Sequence, residues 1–290
     1  MKIVKFYGGL GNQMFQYALL LALREATGEE VLMDTSLYGT YDLHNGFELA
    51  SVFNLTAQEA TREQIKALSW YTPNYRLYRA RHYLLPAGKS EFREREYGKY
   101  YPEVFTFEGD RLYDGYWQHW EYFDRYREAL LREYAPRREM DARSAEAMER
   151  MRESNSCSLH VRRGDFQRSR LYRGICEADY YRTAVRRVQE RMGEDVDFWC
   201  FSNDFGWCRE NLAGLVAEGR LHLVDWNRGA DSWRDLLLMG ACRADILANS
   251  SFSWWAAYLG WEAGKLVVAP ATWINKATVN PVPMPEWIRI

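Results

Sequence analysis

The sequence predicts an α/β protein of two domains, each built on a parallel β-sheet. One observation is the opening of the chain, where a short apolar run, a glycine-rich turn, a helical pattern and a second apolar run follow one another. The other is the regular alternation of strand and helix patterns in the second half. With 290 residues, 47% of them hydrophobic, the chain can bury one large core or two cores of about 140 residues each.

In the first half, "KIVKFY" is a strand pattern, "GGLGNQ" is a turn, and "MFQYALLLALREATG" is a helical pattern that ends at Gly28. A second strand, "EVLMDTS", follows. Residues 56–100 predict helices and loops. Within them we interpret the basic segment "YRLYRARHYLL" as a solvated helical face in preference to a membrane-surface patch.

An aromatic cluster, "GYWQHWEYF", leads into a helix, and the strongly charged segment "RREMDARSAEAMERMRES" then marks the domain junction. We place the domains at residues 1–153 and 154–290. Beyond the junction the strand patterns are "SCSLHV", "DFWCFS", "LHLVD", "ADILAN" and "KLVVAP". The helix patterns between them are "EADYYRTAVRRVQERMG", "GWCRENL", "SWRDLLLMGAC" and "SFSWWAAYLGWEAG". This alternation predicts a parallel sheet with helices on both faces.

Charge and cysteine usage limit the classes of function. The net charge is -2, so the chain as a whole is not drawn to nucleic acid or to a membrane surface. The five cysteines are odd in number and lack C-x-x-C spacing, which indicates reduced thiols and predicts a cytoplasmic protein. Residues 8–13 interrupt the apolar amino terminus, and no stretch reaches the roughly 18 apolar residues of a spanning helix.

Polar residues cluster directly after three of the predicted strands. They are Arg162, Arg163 and Asp165 after "SCSLHV", Asn203 and Asp204 after "DFWCFS", and Asn249, Ser250, Ser251 and Ser253 after "ADILA". Because the carboxyl ends of parallel strands meet at one edge of the sheet, all should border one crevice. The guanidinium group of arginine can donate two parallel hydrogen bonds to a phosphate. A serine-rich turn at the start of a helix adds hydroxyls, N–H groups and the positive end of the helix dipole. Together these groups predict a diphosphate site, although each alone is more common as a solvated ion pair or a helix cap.

Rival chemistries have weaker support. "GLGNQM" begins like a dinucleotide fingerprint and Asp34 follows the second strand, but Met14 replaces the third glycine and no P-loop Lys-Ser/Thr follows. Asp195 and Asp197 have the spacing of a metal-binding pair, but they precede a strand and are interpreted as a polar turn. Scattered histidines argue against zinc, and the absence of G-x-S-x-G argues against a serine hydrolase.

The combination of motifs points to a known family. "GGLGNQMFQYA", "GYWQ", "HVRRGDF", "FSNDFGWCRENL", "DLLLMGACRADILANSSFSWWAAYLG" and "PEWIRI" occur in this order over nearly the whole chain. The sequence thereby resembles glycosyltransferase family 11, the α-1,2-fucosyltransferases, and among them the bacterial members without an amino-terminal membrane anchor. The resemblance implies a GT-B fold of two facing Rossmann-like domains, with GDP-fucose held by the second domain and the acceptor entering between them.

The resemblance also implies a reaction: inverting, metal-independent transfer of L-fucose from GDP-fucose to the 2-hydroxyl of a galactoside, in surface polysaccharide or glycan synthesis. The expected partners are GDP-fucose and a galactose-terminated glycan, without cofactor, metal or nucleic acid; a peripheral membrane contact stays open. Two alternatives also stay open. One is a transferase for another GDP-deoxysugar, and the other is a non-catalytic nucleotide-sugar or glycan-binding protein.

The resemblance assigns roles to individual residues. The expected catalytic residues are Arg162, which would bind the β-phosphate, and Asn12. The expected donor-binding residues are Gly11, His160, Arg163, Asp165, Asp204, Asp235, Asn249, Ser250, Ser251, Phe252 and Ser253. Among them, His160 would lie near the nucleoside, Asp235 would accept from the guanine edge, and Gly11 would close with Asn12 over the sugar–phosphate link.

Other residues are less clearly placed. Tyr116, Trp117 and Gln118 are candidates for the acceptor lining, with core packing as an equal alternative. The general base is open between His44, Glu48 and Asp34, and a sugar cation that forms early would need no strong base. We expect Asp245 to be structural, and Trp254 and Trp255 to belong to the core before serving as a sugar platform.

Overall fold

The computed structural model describes residues 1–41, 44–276 and 282–290, and these form two compact units, Met1–Arg138 and Glu139–Ile290. The division lies at the start of the charged junction segment, not at its end between residues 153 and 154 as the sequence predicted. The reason is that the helix Ala142–Glu153 packs within the second unit, where its Ser144 hydroxyl donates to Asn227 Oδ1 at 3.2 Å.

The first unit contains a four-stranded parallel sheet. Its strands are β1 (Lys2–Lys5), β2 (Val31–Asp34), β3 (Glu91–Arg93) and β4 (Arg111–Asp114), in the spatial order β2-β1-β4-β3. Its helices are α1 (Leu10–Thr27), α2 (Leu49–Val52), α3 (Arg62–Leu68), α4 (Tyr75–Leu84) and α5 (Arg127–Glu133). Short 3-10 turns occupy Ser36–Thr40, Pro102–Phe105, Trp120–Tyr122 and Asp124–Tyr126.

Helix α1 is the centre of the first unit. Residues 13–23 are buried on every side of the helix, which explains the apolar amino-terminal run as a core helix beside the sheet. The helix begins earlier than predicted, because the N–H groups of Asn12 and Gln13 donate to the Gly9 carbonyl at 2.9 and 3.1 Å. The glycine-rich turn is therefore continuous with the first turn of α1.

The second unit contains a six-stranded parallel sheet. Its strands are β5 (Ser156–Val161), β6 (Asp197–Ser202), β7 (Leu221–Val224), β8 (Ala244–Ile246), β9 (Leu266–Ala269) and β10 (Ile288–Arg289). Its helices are α6 (Ala142–Glu153), α7 (Asp165–Arg168), α8 (Ala178–Met192), α9 (Phe205–Leu212), α10 (Trp233–Ala241) and α11 (Ser251–Leu259), with 3-10 turns at Ala213–Leu215 and Gly229–Asp231. The α/β class with two parallel sheets is as the sequence predicted.

The strand order of this sheet, β10-β9-β8-β5-β6-β7, contains one change of direction. The chain runs outwards from β5 to β6 and β7 and then returns to place β8 on the other side of β5. In open α/β sheets, ligands bind outside the carboxyl ends of the strands at such a point. The crevice between the ends of β5 and β8 is therefore the first place to look for a site.

Two further observations bear on the sequence predictions. All five cysteines are free and buried, as expected for reduced core thiols. None of the described helices is long and apolar enough to span a membrane.

Candidate functional site

The crevice between β5 and β8 is bounded by His160 and Phe252. His160 is buried near the end of β5, and Phe252 lies in the first turn of α11, which follows β8. Their ring centroids are 6.2 Å apart. The structure thus brings together the "HVRRGD" and "NSSFS" segments, as the strand-end argument predicted.

Arg162 follows His160 at this edge and keeps unused hydrogen-bonding capacity. Its Nη2 donates to Asp165 Oδ2 at 3.0 Å, and its guanidinium lies 5.4 Å from the Phe166 ring centroid. Its Nε is buried, and no acceptor for it is found among the described residues. A buried N–H without a partner costs free energy, so Arg162 is ready to bind an anion that enters the crevice.

Arg163, in contrast, is tied to the protein. Its Nη1 donates to Glu177 at 2.9 Å, its Nε lies 3.7 Å from Asp204, and its guanidinium stacks 4.3 Å above the Trp207 ring. Its backbone N–H donates to Asn203 Oδ1 at 2.9 Å. The contacts of Arg163 with Asn203 and Asp204 tie the loop after β5 to the loop between β6 and α9. Direct contact of Arg163 or Asp204 with a ligand stays a prediction.

The backbone conformation at Gly164 explains why the "RRGD" turn contains a glycine. Its φ is +49°, in the region that favours glycine, and a Cβ atom there would lie 2.9 Å from Asn203 Nδ2. The turn places Asp165 at the start of α7, within reach of Arg162. The motif is therefore a structural turn that presents one arginine and fixes the other.

The start of α11 supplies backbone N–H groups at the end of β8. Ser250 is its N-cap, and the Ser250 hydroxyl accepts from the Phe252 N–H at 3.3 Å. The helix begins with Ser251, so its positive dipole end lies at the carboxyl edge of the sheet.

Two of the predicted donor-binding side chains turn inwards. The Ser253 hydroxyl is fully buried and lies 3.4 Å from the Ala248 carbonyl and 3.3 Å from the Ser250 carbonyl. Asn249 is also buried and donates from Nδ2 to the Trp273 carbonyl at 3.1 Å. Both side chains stabilise the turn that precedes α11.

His160 is held in its neutral form. Burial, together with the positive charge of Arg162, lowers the pKa of His160 to about 3. Its Nδ1 is buried without a hydrogen-bond partner among the described residues. A neutral imidazole in this position can exchange a hydrogen bond with a ligand without adding a second positive charge beside Arg162.

Asp235 lies in the first turn of α10, which starts at the carboxyl edge after β7. One of its carboxylate oxygens accepts from Asn227 Nδ2 at 2.8 Å, and Asn227 in turn accepts from Ser144. Burial raises the pKa of Asp235 to about 7. Asn227 could not be predicted from the sequence, because it lies in a loop without a motif.

In the first unit, Asn12 is joined to Gln118. Gln118 donates from Nε2 to Asn12 Oδ1 at 2.7 Å and accepts from the hydroxyl of Tyr97. This contact links the glycine turn after β1 to the "GYWQ" turn after β4. The donor role predicted for Asn12 and its neighbour Gly11, which is buried, stays a prediction.

The "GYWQ" turn is held by a buried carboxylate that the sequence argument missed. Glu94 accepts from the N–H groups of Tyr116 and Trp117 at 2.7 and 3.3 Å, and burial raises the pKa of Glu94 to about 7. Trp117 has a φ of +57° and is fully buried, stacked on Phe92. The structure therefore favours the core alternative for Trp117, whereas Tyr116 is half-buried, with its ring against Tyr7.

The three candidate bases differ in their surroundings. Asp34 is fully buried and is bound by Lys5 and by Ser36, so its carboxylate is occupied within the protein. Glu48 accepts from Asn45 Nδ2 at 2.9 Å, and burial raises its pKa. His44 is exposed and has a φ of +62°. Of the three, Asp34 is the least suited to accept a proton from a ligand.

A family model described as "Glycosyl transferase family 11" matches residues 90–290. The chain belongs to this family. The two parallel sheets and the polar strand ends are thus those of a family 11 glycosyltransferase, and the family resemblance read from the motifs is confirmed.

Two relatives align with most of the length of this glycosyltransferase. It is 32% identical to an alpha-1,2-colitosyltransferase from Escherichia coli, over 99% of this chain and 98% of that protein. It is 26% identical to galactoside alpha-(1,2)-fucosyltransferase 1 from Leontopithecus chrysomelas over 87% of this chain, and the match spans 63% of that protein.

A solved structure supports the fold. The NodZ alpha-1,6-fucosyltransferase of Bradyrhizobium, in crystals soaked with GDP-fucose, aligns with a TM-score of 0.55 over 89% of this chain and 92% of that one, at 16% identity. At this identity the likeness concerns the fold alone, and it confirms the GT-B class.

Several residues of this family 11 glycosyltransferase have structural roles, as expected. Asp245 is buried and pairs with Lys265 at 2.9 Å. Trp254 and Trp255 are fully buried in the core. In the described ranges there is no group of three His, Cys, Asp or Glu side chains that could hold a metal ion, and Asp195 and Asp197 lie at the amino end of β6.

Proposed function

We propose that this glycosyltransferase transfers L-fucose from GDP-fucose to the 2-hydroxyl of a galactoside, with inversion and without a metal ion. The observation that carries the proposal is Arg162 at the crevice where α11 also begins, since its buried Nε has no acceptor in the part of the chain that the structure describes. The likeness to a galactoside alpha-(1,2)-fucosyltransferase supports the donor, the linkage and the acceptor.

The proposed chemistry follows from the charge that develops. As the bond from the sugar C1 to the β-phosphate oxygen breaks, negative charge grows on GDP and positive charge grows on the sugar ring. Arg162 and the N–H groups at the start of α11 stabilise the departing diphosphate and act in place of a metal ion. The acceptor oxygen attacks C1 from the opposite face and gives up its proton, to a protein base or to water.

The neutral state of His160 fits this arrangement. A second full positive charge in the crevice would stabilise the diphosphate of the bound donor as well as that of the transition state. It would therefore tighten binding of the donor without speeding the chemical step. With its pKa lowered to about 3, His160 stays uncharged at neutral pH and serves the donor as a hydrogen-bonding group.

We assign Asp235 to the guanine base. The carboxylate form accepts from the two N–H groups of the guanine edge, and the protonated form does not accept both. Because burial raises the pKa of Asp235 to about 7, GDP affinity should fall as the pH drops below about 7, by up to tenfold per pH unit. Isothermal titration calorimetry with GDP on either side of that pH measures this change.

The matched variants are Asp235→Asn and Asp231→Asn. Asp231 lies just before α10, where its carboxylate pairs with Arg234 at 3.1 Å. Asp235→Asn should bind GDP more weakly and lose the pH dependence, whereas Asp231→Asn should keep it. An Asp235→Asn protein with the wild-type pH profile would refute the assignment.

GDP-colitose is the second candidate donor, because the chain is 32% identical to an alpha-1,2-colitosyltransferase. A donor carrying a related deoxysugar would keep every contact to phosphate and guanine and would differ only around the sugar. Release of GDP from GDP-fucose and from GDP-colitose, with the same galactoside acceptor, decides between the two. We expect faster release from GDP-fucose; faster release from GDP-colitose would reassign the donor and leave the diphosphate site unchanged.

A further inference from the structure

Exposed apolar side chains are concentrated in one segment of the first unit. Six large hydrophobic residues are exposed among the described ones, and five of them are Trp70, Leu77, Tyr83, Leu84 and Leu85. Trp70, Tyr83 and Leu84 are 71%, 73% and 79% exposed. Single exposed apolar residues are ordinary, but a cluster at helical spacing indicates an interaction surface.

Another side of α4 is fixed to the rest of the unit. The Tyr78 hydroxyl donates to Asp114 Oδ1 at 2.6 Å, His82 Nδ1 lies 3.3 Å from the other oxygen of that carboxylate, and Arg81 pairs with buried Glu91. Positions 78, 81 and 82 share one helix face. Leu77 and Leu84, which are i and i+7 on the helix, are 63% and 79% exposed, so α4 presents an apolar stripe to solvent.

The charge of this segment differs from that of the chain. Residues 64–90 contain no Asp or Glu, and they contain five basic residues, Lys66, Arg76, Arg79, Arg81 and Lys89, whereas the whole chain has a net charge of -2. Arg76 and Arg79 are exposed on α4, and the Arg79 guanidinium lies 5.6 Å from the Tyr83 ring centroid. The exposed apolar stripe is thus bordered by positive charge, and this combination favours a membrane-surface patch over the solvated helical face expected from the sequence.

We propose that the α4 face, defined as Trp70, Leu77, Tyr83, Leu84 and Leu85 with Arg76 and Arg79, docks the protein on an anionic membrane surface. Leu side chains enter the boundary between headgroups and acyl chains, Trp and Tyr rings lie at the headgroup level, and Arg side chains meet lipid phosphates. A second copy of the chain is a poorer occupant, because a symmetric contact through this face would bring the arginines of both copies together.

The test is co-sedimentation of the purified full chain with vesicles of phosphatidylcholine alone or of phosphatidylcholine mixed with phosphatidylglycerol. We expect binding to the mixed vesicles, weakened by salt, and little binding to the neutral ones. The double variant Leu77→Glu/Leu84→Glu should lose binding by about tenfold or more. The matched control is Leu131→Glu on α5, where the side chain is 38% exposed outside the α4 face; it should bind like the wild type.

Thermal unfolding of each variant, which we expect at nearly the wild-type temperature, tests whether the substitution leaves the fold intact. The proposal is overturned if the wild type does not sediment with the mixed vesicles, if the double variant binds as the wild type does, or if Leu131→Glu loses binding equally. Sedimentation equilibrium provides a further check. A wild-type dimer that Leu77→Glu/Leu84→Glu converts to a monomer, without vesicle binding by either, would assign the face to a second copy and overturn the proposal.

Discussion

Replacement of Arg162 by alanine should lower the rate of transfer by about 10²–10³-fold, the usual effect of removing one donor to a developing charge. The side chain is 29% exposed and its ion pair with Asp165 involves a carboxylate that is 53% exposed. Pairs of this kind contribute about 1 kcal/mol or less to stability. The variant should therefore unfold at nearly the wild-type temperature while losing most of its activity.

The matched control is Arg168→Ala, since Arg168 is exposed at the end of α7 in the same loop. We expect its turnover to match that of the wild type. Initial rates with GDP-fucose and a galactoside, together with thermal unfolding, measure both properties for each variant. Near-normal turnover of Arg162→Ala would remove Arg162 from the catalytic site; equal losses in both variants would indicate a general effect of charge in the loop.

Replacement of Gly260 by alanine should destabilise the second unit by about 3 kcal/mol. Gly260 follows α11, and a Cβ atom there would lie 2.0 Å from the carbonyl oxygen of Gly240 in α10. The clash is with backbone, so no side-chain rotation can relieve it. The two helices would have to separate. Because α10 carries Asp235 and α11 follows the serine-rich turn, GDP binding should weaken as well.

Gly214→Ala is the control for this change. Apart from Gly214 and its two chain neighbours, no heavy atom of the described residues lies within 4 Å of the Cβ position at Gly214. Chemical denaturation should give a lower unfolding free energy for Gly260→Ala and a wild-type value for Gly214→Ala. Wild-type stability of Gly260→Ala would mean that α10 and α11 do not pack backbone to backbone.

The strands that the sequence predicted best are long and buried on both faces. β5 and β6 coincide with "SCSLHV" and "DFWCFS", because each is a six-residue segment of ordinary strand length that lies between clear helix patterns. The strands missed were β3, β4 and β10, which have three, four and two residues and carry charges. Their conformation depends on neighbouring strands, which no local pattern reveals.

The candidate site was predictable to a similar extent. Strand ends could be placed in one crevice, because parallel topology fixes where they meet. The direction of each side chain could not be predicted. Ser253 turns to a backbone carbonyl, and Trp117 is buried because its backbone adopts a left-handed conformation. Glu94 and Tyr97 were missed because contacts across the sequence give them their roles.

The most direct test of the proposed activity is the release of GDP from GDP-fucose by purified protein in EDTA, with and without a β-galactoside such as lactose or N-acetyllactosamine. We predict release that depends on the galactoside and is unchanged by EDTA, because Arg162 and the start of α11 stabilise the leaving diphosphate in place of a metal ion. Release that EDTA abolishes would contradict metal-free transfer. Tight GDP binding without release, for every galactoside tried, would contradict the proposed fucosyl transfer.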